Sequence, residues 1–223
     1  MIEIKLGDCI PFMGGMKDSS VGMIITDPPY GINFQSNMRT KTEKFSILEN
    51  DNNNIRFEAY KEFPRIMKEN TVAVVFCSWK NFALDYNELS KYLDIKNVII
   101  WDKGGGGIGD LKHTFATDYE MAMIAHKGKC KIRQKRIGSV WDIQKVFPGS
   151  MIHPTQKPVE LFERFIHQFT DQYDLVFDPF LGSGTSAIAC MNANRNFLGV
   201  EVDEKYCKIA LDRLEKAFEY TEF

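Results

Sequence analysis

Apolar residues along this chain gather in short runs, and the stretches between them carry helical spacing. Runs rich in β-branched and aromatic residues occupy positions 2–6, 21–26, 71–77, 97–101, 119–125, 175–177 and 197–200. Several, such as Val72-Ala73-Val74-Val75-Phe76-Cys77, are apolar on both faces, as strands covered by helices on either side would be. Residues 54–68, 79–92, 158–169, 185–191 and 203–218 instead have the spacing of helices. The last is the clearest, because Tyr206, Ile209, Ala210, Leu214 and Phe218 fall on one stripe and Asp203 is placed to cap its start. Pro64 interrupts the first. Strands alternating with helices predict an α/β fold, a doubly wound, mostly parallel, Rossmann-like sheet with helices on both faces. No repeat, low-complexity tract or linker composition divides the pattern, so residues 1–223 are expected to form a single domain.

Two stretches do not fit the alternation. Residues 31–54 are polar and rich in asparagine, and residues 103–110 contain Gly104-Gly105-Gly106-Gly107 and Gly109. Connections of this length in compact domains are usually functional or disordered. Composition narrows the class further. A chain of 223 residues buries roughly 70% of its unfolded surface and needs no disulfide or metal staples. The longest apolar run, residues 72–77, is far below the roughly 20 residues that span a bilayer. The start of the chain has no basic segment followed by an apolar one, and the cysteines at 9, 77, 130, 190 and 207 form no CxxC pair. A reduced, cytoplasmic protein is expected. The histidines are scattered rather than clustered with cysteines and carboxylates, so no metal site is expected. The net charge of −2 is not that of a dedicated nucleic-acid binder. Locally, Lys127, Lys129, Lys131, Arg133, Lys135 and Arg136 form a basic stretch without an acid, readable from charge alone as a solvated loop or a binding patch.

Candidate chemistry begins at Leu175-Val176-Phe177-Asp178-Pro179-Phe180-Leu181-Gly182-Ser183-Gly184-Thr185-Ser186-Ala187, which reads as strand, tight glycine turn and helix start. A turn without Cβ atoms lets a ligand approach the backbone, and the N–H groups of a helix N-terminus favour polar or anionic groups. Glu201 follows the next strand, where nucleotide-binding folds place an acceptor for ribose hydroxyls. A nucleoside-containing cofactor is expected. The loop alone does not decide which, because Gly182, Gly184 and Ala187 also satisfy the GxGxxG/A pattern of dinucleotide enzymes, and a purely structural turn reads the same way.

Asp27-Pro28-Pro29-Tyr30 directly follows the run at 21–26, and so sits at a strand's carboxyl end, where α/β folds bind ligands. Two prolines fix φ twice and remove two donors, leaving a stiff segment of carbonyls, a carboxylate and an aromatic ring. This suits a planar group bearing an exocyclic NH2, with Asp27 and the Pro28 carbonyl accepting its hydrogens and Tyr30 stacking on the ring. A simple Pro-Pro turn explains the prolines but neither the aspartate nor the tyrosine.

These two motifs together resemble the DNA amino-methyltransferases that use S-adenosylmethionine, and the catalytic motif preceding the cofactor motif is the circularly permuted β-class order. Gly7-Asp8-Cys9, Trp101-Asp102-Lys103, Tyr119-Glu120 and His153-Pro154-Thr155-Gln156-Lys157-Pro158 extend the resemblance over nearly the whole chain. It implies that Asp178, Phe180, Gly182 and Gly184 line the methionine side of S-adenosylmethionine, with Thr185 also at the cofactor. Glu201 would take the ribose hydroxyls, Asp8 with neighbouring Cys9 the adenine end, and Thr155 to Lys157 would close the methionine end. Asp27, Pro28, Pro29 and Tyr30 match the target-base clamp, and no cysteine is required as a nucleophile. Aspartate at the head of the clamp favours adenine N6 as the methyl acceptor, with cytosine N4 the alternative. An RNA or protein amide substrate and a catalytically silent DNA-binding protein are further readings, against which the permuted order and the 153–158 segment speak.

The implied partner is double-stranded DNA, and the implied setting is the cytoplasm of a bacterial or phage-infected cell. A monomer or homodimer is expected, and a cognate restriction endonuclease is compatible but not required. Arg39, Lys41 and Lys44, in the polar stretch after the clamp, are expected to reach phosphates. Lys129, Lys131, Arg133, Lys135 and Arg136 fall where the β class places a target-recognition segment, here only about residues 103–150. Its shortness departs from the family pattern and points to a short or relaxed recognition site.

Overall fold

The run at 21–26 becomes a strand buried along its whole length, β2 (Val21–Thr26), near the middle of an eight-stranded sheet in the computed structural model. The structure describes residues 1–29, 53–105, 112–146 and 157–219. In chain order β1 (Ile2–Leu6) and α1 (Cys9–Gly14) precede β2, which is followed by α2 (Asn53–Ile66), β3 (Met67–Cys77), α3 (Phe82–Leu89) and β4 (Asp94–Asp102). Next come β5 (Tyr119–Lys127), β6 (Val140–Asp142), α4 (Val159–Phe169) and β7 (Leu175–Asp178), then α5 (Thr185–Asn192), β8 (Asn196–Glu201) and α6 (Glu204–Glu219).

The strand order is β1-β8-β7-β2-β3-β5-β4-β6, and every neighbouring pair is parallel except those made by β5. All seven expected strands and all five expected helices are present, β1 and β2 with the expected ends and the others shifted. The helix expected over 79–92 contracts to α3, because the Asn81 amide closes a turn on the Ser78 carbonyl and Ser90 caps the other end. α2 stops at Ile66 because Met67 already pairs with Val21.

Helices cover both faces, as the two-sided apolar strands require. On one face Phe76 of β3 stacks on Phe162 of α4 with centroids 5.4 Å apart, and Phe165 packs against Trp141 at 4.5 Å. On the other, Tyr60 and Phe63 of α2 join Met13 of α1 and Phe177 of β7 in the second buried cluster. The chain winds away from the middle of the sheet in both directions: β7 leads through α5 to β8, and β2 leads through α2 to β3. The boundary between β7 and β2 is therefore the topological switch point, whose carboxyl edge is where ligands bind in such sheets.

Candidate active site

Three strand ends, those of β1, β8 and β7, build the cofactor side of that edge. The Gly7 amide donates to the Glu201 carbonyl at 2.8 Å and the Leu181 amide to the Val200 carbonyl at 3.0 Å, so the loops after β1 and β7 are both fastened to β8. Gly182 and Gly184 have φ of +56° and +81°, a left-handed conformation natural to glycine. A Cβ at Gly184 would lie 2.9 Å from that of Ala210 on α6. Glu201 stands over this turn, its Oε2 accepting from the Gly182 amide at 2.6 Å and its Oε1 from the Asp203 amide at 3.0 Å. A carboxylate has about four acceptor sites, so both oxygens keep capacity for a diol. Asp8 caps α1 by accepting from the Ile10 amide at 2.8 Å and stays exposed. Cys9 is buried, and burial, with the nearby Asp8 charge, pushes its thiol up to about 12; it packs and does not ionise.

Asp178 closes the floor. It accepts from the Thr26 hydroxyl at 2.8 Å, the Ser186 hydroxyl at 2.6 Å and the Phe180 amide at 3.1 Å. Burial pushes its carboxyl up to about 7, against the pull of those hydrogen bonds and with a small further rise from Asp27. Arg213 of α6 donates to the Ser183 carbonyl at 2.5 Å and reaches the Thr185 hydroxyl at 3.4 Å, bracing the start of α5 from behind. A left-handed glycine turn, a helix start and an acidic acceptor one strand away match the needs of a nucleoside with a polar tail. The residues present fit S-adenosylmethionine.

Across the switch point lies the clamp. Thr26 is the last residue of β2, so its bond to Asp178 leaves Asp27 beside the cofactor loop. The Lys157 ammonium, almost fully buried, is bonded to Asp27 Oδ2, lies 3.2 Å from Glu120 Oε2 and sits 4.8 Å over the Phe76 ring. Lys103 reaches the other Glu120 oxygen at 3.4 Å. Burial alone would lower the Lys157 pKa, but the Asp27 and Glu120 carboxylates outweigh it and hold that pKa up. Burial would likewise raise Glu120, but Lys157 and Lys103 outweigh it and hold that carboxyl down.

Asp8, Cys9, Asp27, Pro28, Pro29, Asp178, Phe180, Gly182, Gly184, Thr185 and Glu201 thus share one edge. Tyr30, Arg39, Lys41, Lys44 and Thr155 lie outside the described residues. The Lys157 ammonium lies on Asp27 and Glu120, beside the clamp. The basic stretch lies away from the clamp. Because β5 runs antiparallel, its end at Lys127 pairs with Thr71 at the start of β3, which is the opposite edge of the sheet from Asp27. Lys129 hangs there from Asn70, and Arg133 is tied to Asp171 at 3.3 Å, while Lys131 lies between them. Lys135 and Arg136 lie on the return path toward β6, the Lys135 carbonyl 3.5 Å from Gln168 Nε2. Arg56 and Asp85 stand in no motif of the sequence, whereas Lys103 and Glu120 belong to segments that extend the family resemblance without a role attached to them. Among the described residues, no helix is long and apolar enough to cross a membrane.

Comparison with known proteins agrees with this geometry. The model of the N6/N4 methyltransferase family, described as DNA methylase, matches residues 21–212. The type II methyltransferase M2.MboI of Moraxella bovis is 27% identical over 95% of this chain and 86% of its own length. The DNA adenine methyltransferase YhdJ of Escherichia coli (strain K12) is 27% identical over 96% of this chain and 83% of its own. The crystal structure of the M1.HpyAVI–SAM complex is 27% identical, superposes with a TM-score of 0.74, and covers 96% of this chain and all of that one. A family match over most of the chain, meeting a cofactor cradle and an acceptor clamp at one switch point, places this protein in the DNA methylase family as an S-adenosylmethionine-dependent DNA methyltransferase.

Proposed function

We propose that the methylated atom is N6 of an adenine flipped out of duplex DNA. The reading rests on aspartate at the head of the clamp, and the adenine methyltransferase YhdJ among the relatives supports it. One observation carries the mechanism: the bond from Thr26 to Asp178 ties the strand that ends in the clamp to the strand that opens the cofactor loop. When bound, S-adenosylmethionine supplies a methyl group on a sulfonium with a good leaving group. Asp27 and the Pro28 carbonyl accept the two amino hydrogens, which draws the nitrogen lone pair out of ring conjugation and aims it across the switch point. The Tyr30 ring stacks on the extruded base, offsetting part of an extrusion cost of a few kcal/mol. Holding the two reactants in line supplies roughly 7–11 kcal/mol, so positioning dominates and no covalent enzyme intermediate is needed.

Site recognition falls to the short segment about residues 103–150 and to the connections leaving the carboxyl edge, which implies a short or relaxed recognition sequence. The enzyme works in the cytoplasm of a bacterial or phage-infected cell, as a monomer or homodimer, and needs no endonuclease partner. The test is transfer of labelled methyl to unmethylated duplex DNA, followed by nucleoside mass analysis. N6-methyladenine is the expected product, N4-methylcytosine would overturn the base assignment, and absence of transfer to any DNA would overturn the mechanism.

A further inference from the structure

Arg56 of α2 is wholly buried, and so is Asp85 of α3. The Arg56 Nε lies 2.6 Å from Asp85 Oδ1, which the Tyr60 hydroxyl also approaches at 3.4 Å. From the other side of the same guanidinium, Nη1 donates to the backbone carbonyl of Pro29 at 3.3 Å, while the guanidinium lies 4.6 Å over the Phe57 ring. A buried ion pair is a poor device for stability, since well-packed apolar residues of similar volume often do as well or better. It is a good device for geometry, because a planar guanidinium presents donors in two fixed directions. What it holds here is the Pro29 carbonyl, at the end of the clamp's Asp27-Pro28-Pro29 run. Pro28 and Pro29 have no N–H of their own, so their part of the chain can be fastened only through its carbonyls, and the Pro29 carbonyl belongs to the peptide unit that leads into Tyr30.

We infer that Arg56, anchored by Asp85, is a positioning residue that sets the orientation of the Asp27–Pro29 segment for methyl transfer. The inference rests on the reading of that segment as the target-base clamp. With the Pro29 carbonyl held by Arg56, the Pro28 carbonyl and the Asp27 carboxylate are the groups the segment presents to the amine. The surrounding helices α2 and α3 then serve the reaction without touching either reactant.

The test uses R56M/D85L, which removes both charges together and leaves no buried ion uncompensated, alongside R56K, which keeps the charge facing Asp85. Single-turnover methyl transfer to unmethylated genomic DNA and the S-adenosylmethionine Kd are measured for each, with D27A as the control for the clamp. Misplacing a reacting group by an ångström costs on the order of 10²-fold. Accordingly R56M/D85L is expected to lose roughly 10- to 100-fold in rate with the cofactor Kd unchanged, and R56K is expected to fall between it and the wild type. A wild-type rate in R56M/D85L, or a rate that falls only in step with cofactor binding, would overturn the inference. Should the double variant not fold, R56K decides alone: slower transfer at an unchanged Kd upholds the inference, and a rate within twofold of wild type overturns it. An active D27A enzyme would instead bring down the clamp reading itself.

Discussion

Asp27 and Gly184 are single residues on which opposite sides of the site depend. Replacing Asp27 with alanine removes an acceptor for the target amine and leaves the glycine loop, Glu201 and Asp8 intact. Transfer is expected to fall on the order of 10²- to 10⁴-fold while the S-adenosylmethionine Kd, followed by calorimetry, stays within about threefold. Gly184→Ala acts on the other side. Its new methyl would meet Ala210 at 2.9 Å with φ held at +81°, so folding stability should drop by about 1–3 kcal/mol, read as a lower midpoint in urea, and cofactor affinity should fall with it. Both residues can be read in the sequence because each lies in a contiguous motif whose composition states its chemistry. Arg56 and Asp85 cannot, since 29 positions separate them and neither stands in a motif; only the packing of α2 against α3 makes them a pair.

At the level of elements, the long apolar strands and the amphipathic helices were the easiest features to read. α1 was not, because six residues that include Pro11 are too few to display a helical period, and β6, with three residues, shows no alternation. The reversal of β5 left no mark in composition either, since buried strands look alike in both directions, yet it decides where the basic stretch goes. Lys129, Lys131 and Arg133 lie at the edge away from the clamp. Three phosphate contacts would contribute roughly 0.9 each to the slope of log binding constant against log salt. The K129A/K131A/R133A variant is therefore expected to keep the wild-type slope on duplex DNA; a loss of two units or more would show that DNA also reaches the amino edge.

For the molecule as a whole, the buried carboxyl of Asp178 links the site to stability. Its pKa rises to about 7 in the folded protein from an ordinary 3.8. Between those values the unfolded chain gives up the proton while the folded one keeps it, so the stability associated with this group is complete below about pH 3.8 and is lost as pH rises toward 7. Asp178→Asn removes that dependence. Thermal unfolding from pH 5 to pH 8 should show the variant gaining on the wild type up to about pH 7 and levelling off above it, and parallel curves would contradict the burial of an ionisable group there. The motif order, like the sheet it implies, was legible because each motif marks a strand's carboxyl end. The ion pairs that cross from β5 and residue 157 to the clamp were not, since they join residues brought together only by the closed sheet.

Those ion pairs matter before any chemistry begins. Asp27 and Glu120, left bare, would set two negative charges at the mouth through which a phosphate-lined polymer must deliver its base. Among the described residues Lys157 and Lys103 match them one for one, so these two carboxylates are neutralised where they stand, and the acceptor needed for methylation does not repel the substrate that carries the base to it.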